Sequence, residues 1–167
     1  ATKNAALRKI AKALKSQSAY LQKENAKDLK AAEKANYSKA LVDRLLLNEQ
    51  RIEGMVQCLH DTIKIKDPVG DVMKTFKRPN GLKIKKVRTP IGVIGIIYES
   101  RPNVTSDCIG LCLKSGNAVI LKGGKEAYYS NKAIYTVIKK TLKSTKIPEE
   151  AIQQIESTDR DSVKLLL

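Results

Sequence analysis

Two apolar runs joined by a short amphipathic segment, within residues 89–126, constrain the fold more than any other feature. The first run, Ile91–Tyr98, is typical of a strand buried on both faces, and Ala118–Leu121 predicts a second strand. Between them, Val104–Ser115 predicts a helix that ends at the Gly116–Asn117 pair. This order makes a βαβ unit, and open α/β sheets bind ligands where such strands end.

Residues 1–66 are predicted to form an N-terminal helical segment, because apolar side chains recur there at helical spacing. The polar stretch Asn25–Lys27 favours a bend in the first helical region. Ser38 and Asn48 are the expected N-caps of the two helices that follow, since their short side chains can accept hydrogen bonds from the first turn.

Residues 67–90 predict a β-hairpin that is exposed on one side. Apolar and polar residues alternate between Val72 and Val87, and the sequence RPNG at Arg78–Gly81 is a strong turn signal. Both a plain edge hairpin and a protruding arm fit this pattern.

Residues 91–167 alternate between strand and helix patterns, which predicts an α/β fold with a parallel, Rossmann-type sheet. Ala127–Leu142 is the second helix of this region, Ala151–Ile155 a third strand, and Thr158 the N-cap of a last helix. Right-handed crossovers would place helices on both faces of the sheet.

The net charge of +15 comes from 32 Lys and Arg against 17 Asp and Glu. Such a charge is typical of nucleic-acid-binding proteins, but here the cations are scattered along the helices. One Phe and no Trp also supply few rings for stacking on single strands. We therefore expect no nucleic-acid partner, and a positive field that attracts small anions.

The three cysteines Cys58, Cys108 and Cys112 match no disulfide framework, and with His60 they form no metal-binding pattern. We expect no metal and a reducing, cytoplasmic location. The longest apolar run is too short to span a bilayer, so no membrane partner is expected.

Three stretches carry a family resemblance. They are PIGVIGIIYESRPNVT at Pro90–Thr105, LCLKSGNAVILKGGKE at Leu111–Glu126 and DPVG at Asp67–Gly70. With Leu41–Leu45 and Thr158–Val163, they resemble the γ-glutamyl phosphate reductase family of the aldehyde dehydrogenase superfamily, and the likeness covers nearly the whole chain. In this family Glu-Ser-Arg-Pro-Asn replaces the Pro-Trp-Asn turn of the wider superfamily.

The resemblance implies an incomplete aldehyde dehydrogenase-like fold, the amino-terminal part of an enzyme whose catalytic domain and nucleophilic cysteine lie outside these 167 residues. The whole enzyme would reduce L-glutamyl 5-phosphate with NADPH to L-glutamate 5-semialdehyde and phosphate in proline biosynthesis, and this chain alone would be inactive. The implied partners are further copies of the enzyme, joined through the hairpin arm, and glutamate 5-kinase.

The segment Tyr98–Asn103 is the candidate active site. By resemblance, Asn103 is the catalytic residue that holds an oxyanion, although an ungapped alignment would place Arg101 there instead. Glu99, Ser100 and Arg101 would bind substrate, and the planar guanidinium of Arg101 suits a phosphate or carboxylate. Helix capping by Asn103 and an ion pair between Glu99 and Arg101 are the alternative interpretations.

The loop Lys122–Lys125, with sequence KGGK, is the candidate cofactor site. Gly123 and Gly124 would let the backbone approach a ligand and adopt positive φ. By resemblance, Lys122 contacts the adenosine ribose of the cofactor, and Lys125 favours the 2′-phosphate of NADP. A solvated turn is the alternative interpretation.

We expect the loops at Arg101–Asn103 and Lys122–Lys125 to converge on one shared cleft. Two other functions stay open at this point. One is an aldehyde dehydrogenase for an uncharged aldehyde, against which the cations Arg101 and Lys125 argue. The other is a non-catalytic basic binding or assembly module.

Overall fold

The computed structural model describes residues 2–159, 161–164 and 166. Its helices and strands follow one another in the order α1 (Thr2–Ser16), α2 (Ser18–Lys34), α3 (Lys39–Leu45), α4 (Glu49–Lys64), β1 (Val72–Lys77), β2 (Lys83–Val87), β3 (Val93–Ile97), α5 (Asn103–Lys114), β4 (Ala118–Lys122), α6 (Tyr128–Leu142), β5 (Ile152–Gln154) and α7 (Asp161–Lys164). Short 3₁₀ helices at Lys125–Ala127 and Glu149–Ala151 precede α6 and β5.

The predicted βαβ unit and the third strand are confirmed. Strands β3, β4 and β5 form a parallel sheet in that order, with Gly95 opposite Ile120 and Val119 opposite Ile152. Helix α5 ends as predicted, because Gly116 adopts a φ of +77° and the N–H of Asn117 donates to the Cys112 carbonyl oxygen.

One face of the sheet lies on the hydrophobic core. Ile94 and Ile96 of β3 pack against this core, which also contains buried residues of α1, α4, α5 and α6. The other face of β3 is exposed at Val93 and Ile97, and Leu166 approaches it at Gly95.

The prediction that Ile91–Tyr98 is a strand buried on both faces is therefore wrong. The strand is shorter, Val93–Ile97, and it lies at the edge of the described sheet with only one side against the core. The sequence pattern failed because an apolar run records how hydrophobic a strand is and not how much of it is covered.

The bend predicted at Asn25–Lys27 is also wrong, because α2 continues through it and the chain instead turns at Gln17. Asn25 does not compete for its own helix backbone. Its amide donates to the Leu45 carbonyl oxygen at 2.7 Å and accepts from the N–H of Leu47 at 2.8 Å. The polar residue therefore fastens α2 to the α3–α4 connection.

Two of the three predicted N-caps, Ser38 and Asn48, are confirmed. The Ser38 hydroxyl accepts from the N–H of Leu41 at 3.3 Å, and the Asn48 side chain accepts from the N–H of Arg51 at 2.9 Å. The last helix starts at Asp161 rather than near Thr158, because the Asp159 carboxylate accepts the Asp161 N–H. Positions 160, 165 and 167 of that predicted helix lie outside the described residues.

The hairpin of β1 and β2 is antiparallel, with Gly81 at φ +84° in the predicted turn. The expectation that only one side is exposed is wrong, because every residue of both strands is exposed. Hydrogen bonds between Gly70 and Arg88 and between Asp71 and Arg88 close the base of the hairpin, which projects from the rest of the described chain.

Candidate functional site

The carboxyl ends of β3 and β4 bring the two candidate loops side by side. The N–H of Tyr98 donates to the Lys122 carbonyl oxygen at 3.1 Å, which continues the strand pairing to the edge of the sheet. Just beyond, a Cβ built at Gly124 would lie 3.5 Å from the Glu99 carbonyl carbon. The loops therefore touch, but their side chains point into two different cavities.

The first cavity, called here the lysine cavity, has a volume of about 370 Å³ and lies beside the loop Lys122–Glu126. Glu99 and Ser100 line it from the neighbouring turn, and Thr158 and Val163 line it from the segment around α7. Basic groups, hydroxyls and the carboxylates of Glu99 and Glu126 thus share one opening, a set that suits the sugar and phosphate of a nucleotide.

Lys122 is the most constrained cation of this cavity. The residue is only 5% exposed, and its ammonium group makes a long, partly buried hydrogen bond of 3.4 Å to the Gly123 carbonyl oxygen. No carboxylate of the described residues forms an ion pair with it. An anion or a hydroxyl acceptor bound here would therefore gain a charged hydrogen-bond donor that has no counter-ion among the described residues.

Gly123 and Gly124 occupy positions where a side chain would collide with its surroundings, not positions where the backbone needs a positive φ. Neither is among the described glycines with positive φ, so that part of the prediction is wrong. A Cβ at Gly123 would overlap the Asn131 amide and lie 3.2 Å from the Tyr98 ring. A Cβ at Gly124 would meet the mobile end of Glu126 at 2.7 Å, a contact that is easier to relieve.

A buried polar chain supports the loop from beneath. The Tyr98 hydroxyl lies 2.7 Å from Thr105 Oγ1, which donates to Asn131 Oδ1 at 3.1 Å, while the buried Asn131 Nδ2 has no hydrogen-bond partner among the described residues. Burial raises the pKa of the Tyr98 hydroxyl to about 12, so it stays protonated at neutral pH. Asn131 was not among the residues predicted from the sequence, although it lies at helical spacing from the core residues Ile134 and Ile138 of α6.

The second cavity, called here the arginine cavity, has a volume of about 760 Å³ and opens on the other side of the turn. Arg101, Pro102 and Asn103 line it, opposite side chains of α3 and α4. The shared cleft that we expected is therefore divided. Glu99 and Ser100 face the lysine cavity, whereas Arg101 and Asn103 face the arginine cavity.

The structure favours neither alternative interpretation of the turn. The Asn103 side chain does not cap α5, because its Nδ2 donates to Asp107 Oδ2 at 3.0 Å. Among the ion pairs of the described residues there is none between Glu99 and Arg101. Both Arg101 and Asn103 thus present polar groups to the arginine cavity.

The three cysteines are poor nucleophiles. Burial, with the nearby Asp107 carboxylate, raises the pKa of the Cys58 thiol to about 11, although this residue lines the arginine cavity. Burial also raises the pKa of Cys108 and of Cys112. The reactive form of a cysteine is the thiolate, and the raised pKa of each thiol disfavours that form.

Within the described residues, no helix combines the length and apolarity required to cross a bilayer.

A parallel sheet with polar loops at its carboxyl edge, packed against helices, is an α/β arrangement that occurs in the aldehyde dehydrogenase fold. In agreement, an acetylating aldehyde dehydrogenase from Geobacillus thermoglucosidasius superposes with a TM-score of 0.68 over 99% of this chain and 34% of its own, at 13% identity, which shows the fold alone. No family model matches the chain.

The sequence relationship is more specific. The chain is 51% identical over 98% of its length to γ-glutamyl phosphate reductase of Bacillus cereus, and spans 40% of that relative. The crystal structure of γ-glutamyl phosphate reductase from Thermotoga maritima matches 97% of the chain and 39% of its own length, with a TM-score of 0.94 and 47% identity. The chain is thus related to the γ-glutamyl phosphate reductases, and the resemblance stated from its sequence is confirmed.

Proposed function

We propose that this chain supplies the cofactor side and part of the substrate side of an NADPH-dependent γ-glutamyl phosphate reductase. That enzyme would convert L-glutamyl 5-phosphate to L-glutamate 5-semialdehyde and phosphate in proline biosynthesis. The observation that carries the proposal is the 51% identity over 98% of the chain to a reductase of that name. Because the chain spans 40% of this relative, the activity is proposed for a longer protein that contains it.

The lysine cavity is the proposed site for the adenosine end of the cofactor, which supplies a hydride when bound. The ammonium group of Lys122, which has no counter-ion among the described residues, would donate to a ribose or phosphate oxygen. Lys125 is exposed at the rim and would attract a 2′-phosphate. The carboxylates of Glu99 and Glu126 in the same cavity would accept hydrogen bonds from ribose hydroxyls.

The turn above the arginine cavity is the proposed substrate side. One N–H of the Asn103 amide donates to Asp107, and the second N–H is left to donate to a developing oxyanion. The Arg101 guanidinium would bind a phosphate or carboxylate through parallel hydrogen bonds. A cavity lined by arginine and aspartate side chains suits a charged substrate better than an uncharged aldehyde.

We propose that the nucleophilic thiol comes from outside these 167 residues. The raised pKa values of Cys58, Cys108 and Cys112 support this assignment, because a thiol that stays protonated reacts slowly with an acyl phosphate. The chain as printed should accordingly bind ligands without turning them over.

The activity is tested in the reverse direction, with a longer protein that contains this chain. We expect reduction of NADP that requires both L-glutamate 5-semialdehyde and inorganic phosphate, and none from the 167-residue chain alone. Propanal serves as the uncharged control substrate. Equal rates with propanal, or rates that do not depend on phosphate, would refute the proposal.

Cofactor preference is predicted to depend on Lys125. Substitution Lys125→Glu replaces an attraction to the 2′-phosphate by a repulsion, so the ratio of the NAD to the NADP dissociation constant should fall roughly tenfold or more. The measurement is equilibrium titration of both nucleotides, with Lys23→Glu on the exposed side of α2 as a matched charge control. An unchanged ratio in the Lys125 variant would remove this residue from the site.

We also propose that the hairpin β1–β2 is an arm that pairs with another subunit. Its strands are exposed on both faces, and their apolar side chains include Val72, Met73 and Phe76. Deletion of the hairpin should lower the assembly state of the longer protein in analytical ultracentrifugation, and an unchanged state would refute the arm. Glutamate 5-kinase remains a partner predicted by the resemblance alone.

A further inference from the structure

The arginine cavity contains charges of both signs that do not neutralise one another. Arg44 and Arg101 line it, and neither side chain forms an ion pair or hydrogen bond with a described residue. Asp107 lines the same cavity, and no described lysine or arginine pairs with its carboxylate. Arg44, Arg101 and Asp107 therefore line one space of about 760 Å³, which is large enough for a small molecule.

Asp107 is held in place rather than solvated. Its Oδ2 accepts from Asn103 Nδ2 at 3.0 Å, and its Oδ1 lies 3.5 Å from the Ser106 hydroxyl. Asp107 is partly buried, and no lysine or arginine of the described residues forms an ion pair with its carboxylate. A cationic group entering the cavity would give this carboxylate a counter-ion.

Arg51 lines the same cavity but differs from Arg44. Its guanidinium donates to the Asp43 carboxylate at 2.9 Å and to the carbonyl oxygens of Asp43 and Leu46. These hydrogen bonds satisfy acceptor groups at the end of α3, so the Arg51 guanidinium is not available for a ligand. Arg44, one helical position beyond Asp43, is the guanidinium of α3 that is available for a ligand.

We propose that the arginine cavity is a subsite for the zwitterionic end of an α-amino acid. The Asp107 carboxylate would accept hydrogen bonds from the α-ammonium group, and the Arg44 guanidinium would bind the α-carboxylate. This inference rests on the proposed function, whose substrate carries such an end. Arg101 and Asn103, on the turn at the sheet edge, then serve the opposite, reacting end of the molecule.

Two fixed charges of opposite sign select a ligand that carries both. A ligand without the ammonium group would leave Asp107 without its partner, and a ligand without the α-carboxylate would leave Arg44 without its partner. Sites built to bind a polar group reject analogues that lack it, because the protein group then loses its hydrogen-bonding partner. The subsite would therefore discriminate against simple dicarboxylates and simple amines.

The test is NMR titration of the 167-residue chain with three probes. L-Glutamate carries both groups, glutarate lacks the ammonium, and 4-aminobutyrate lacks the α-carboxylate. We expect L-glutamate to bind roughly tenfold or more tightly than either analogue. Arg44→Gln should weaken L-glutamate to the level of 4-aminobutyrate and leave 4-aminobutyrate unchanged. Asp107→Asn should weaken L-glutamate binding to the level of glutarate and leave glutarate binding unchanged.

The controls are Arg8→Gln and Glu150→Gln, which change exposed residues outside the cavity and should alter none of the three affinities. The amide spectrum of each variant reports whether it is folded. Glutarate binding as tightly as L-glutamate, or Arg44→Gln leaving the three affinities unchanged, would overturn the subsite even if the longer protein is a reductase. Selective L-glutamate binding without reductase turnover would instead leave the subsite standing and refute the proposed function.

Discussion

Asp28 links two helices that are distant in the sequence. Its carboxylate is buried and accepts the N–H groups of Tyr129 and Ser130 at the start of α6, together with the Ser130 hydroxyl at 2.5 Å. The same hydroxyl receives a hydrogen bond from Asn25. An aspartate of α2 thus acts as the N-terminal cap of α6, which carries the support of the lysine cavity.

Substitution Asp28→Asn should destabilise the protein by about 1–3 kcal/mol. The asparagine amide would turn one N–H₂ donor towards donors of α6, leaving buried groups unpaired. The measurement is urea unfolding, with Glu33→Gln on the same helix as the exposed control. A loss of stability no larger than that of the control would show that Asp28 does not hold α6.

The loss of stability caused by Asp28→Asn should depend on pH. Burial raises the pKa of Asp28 above 3.8 in the fold, outweighing the opposing effect of the hydrogen bonds from Ser130 and Tyr129. The folded state therefore binds the proton more tightly, and this contribution to stability is lost as the pH rises through the folded-state pKa. As the pH rises above 3.8 and through the folded-state pKa, the difference in unfolding free energy between the native chain and Asp28→Asn should therefore become smaller. A difference that grows with pH would contradict the sign.

Single residues show where prediction from sequence stops. Ser38 and Asn48 were predictable as caps because they act on the backbone three residues away. Asn25 and Asn131 were not, because their partners lie in other elements, at Leu45 and Thr105. A polar residue within an apolar helix face is a local signal, but its partner depends on tertiary structure.

The hairpin β1–β2 places like charges opposite one another. Lys77 faces Lys83 and Lys74 faces Lys86 in the register of the two strands, and all four side chains are exposed. Directly opposed like charges destabilise a strand pair. Since an isolated two-stranded hairpin is only marginally stable in water, we expect this element to open more easily than the core.

Lys83→Glu should stabilise the hairpin by about 0.2–1 kcal/mol, because it changes a repulsion with Lys77 into an attraction. The amide of Arg78, which donates to the Leu82 carbonyl oxygen, should then exchange its hydrogen more slowly. The matched control is Lys85→Glu, which makes the same change of charge opposite Thr75. Equal slowing in both variants would assign the effect to net charge rather than to the cross-strand pair.

The type of each helix, strand or turn was more predictable from the sequence than the extent to which it is buried. The turn at Arg78–Gly81 and the stop at Gly116 identified their elements because glycine permits positive φ and proline fixes φ, both of which are local effects. The burial of β1, β2 and β3 was not predictable, since it depends on which other segments cover them. The division of the expected cleft has the same origin, because the short turn directs neighbouring side chains to opposite sides.

At the scale of the molecule, one hydrophobic core joins the N-terminal helices to the sheet. Leu14 of α1 and Met55 of α4 belong to the same buried cluster as Val119 of β4 and Ile134 of α6. The family resemblance predicts that residues 1–66 belong to the cofactor-binding domain, and this assignment stays a prediction; the shared core shows that these residues pack together with the sheet. The candidate loops therefore rest on helices from both parts of the chain, so their positions should depend on the integrity of both.

Leu14→Ala should destabilise the whole chain in one transition, by about 2–5 kcal/mol, because Leu14 is fully buried in this core. Urea unfolding followed by far-UV circular dichroism and by tyrosine fluorescence should give coincident curves shifted to lower urea. Leu111→Ala, at a position 52% exposed, is the control and should change stability by about 0.5 kcal/mol or less. If the helices of residues 1–66 were a separate unit, the two curves would not coincide, because only Tyr20 and Tyr37 of the six tyrosines lie in that region. Coincident dichroism and fluorescence curves for Leu14→Ala would instead show that the candidate loops unfold together with α1.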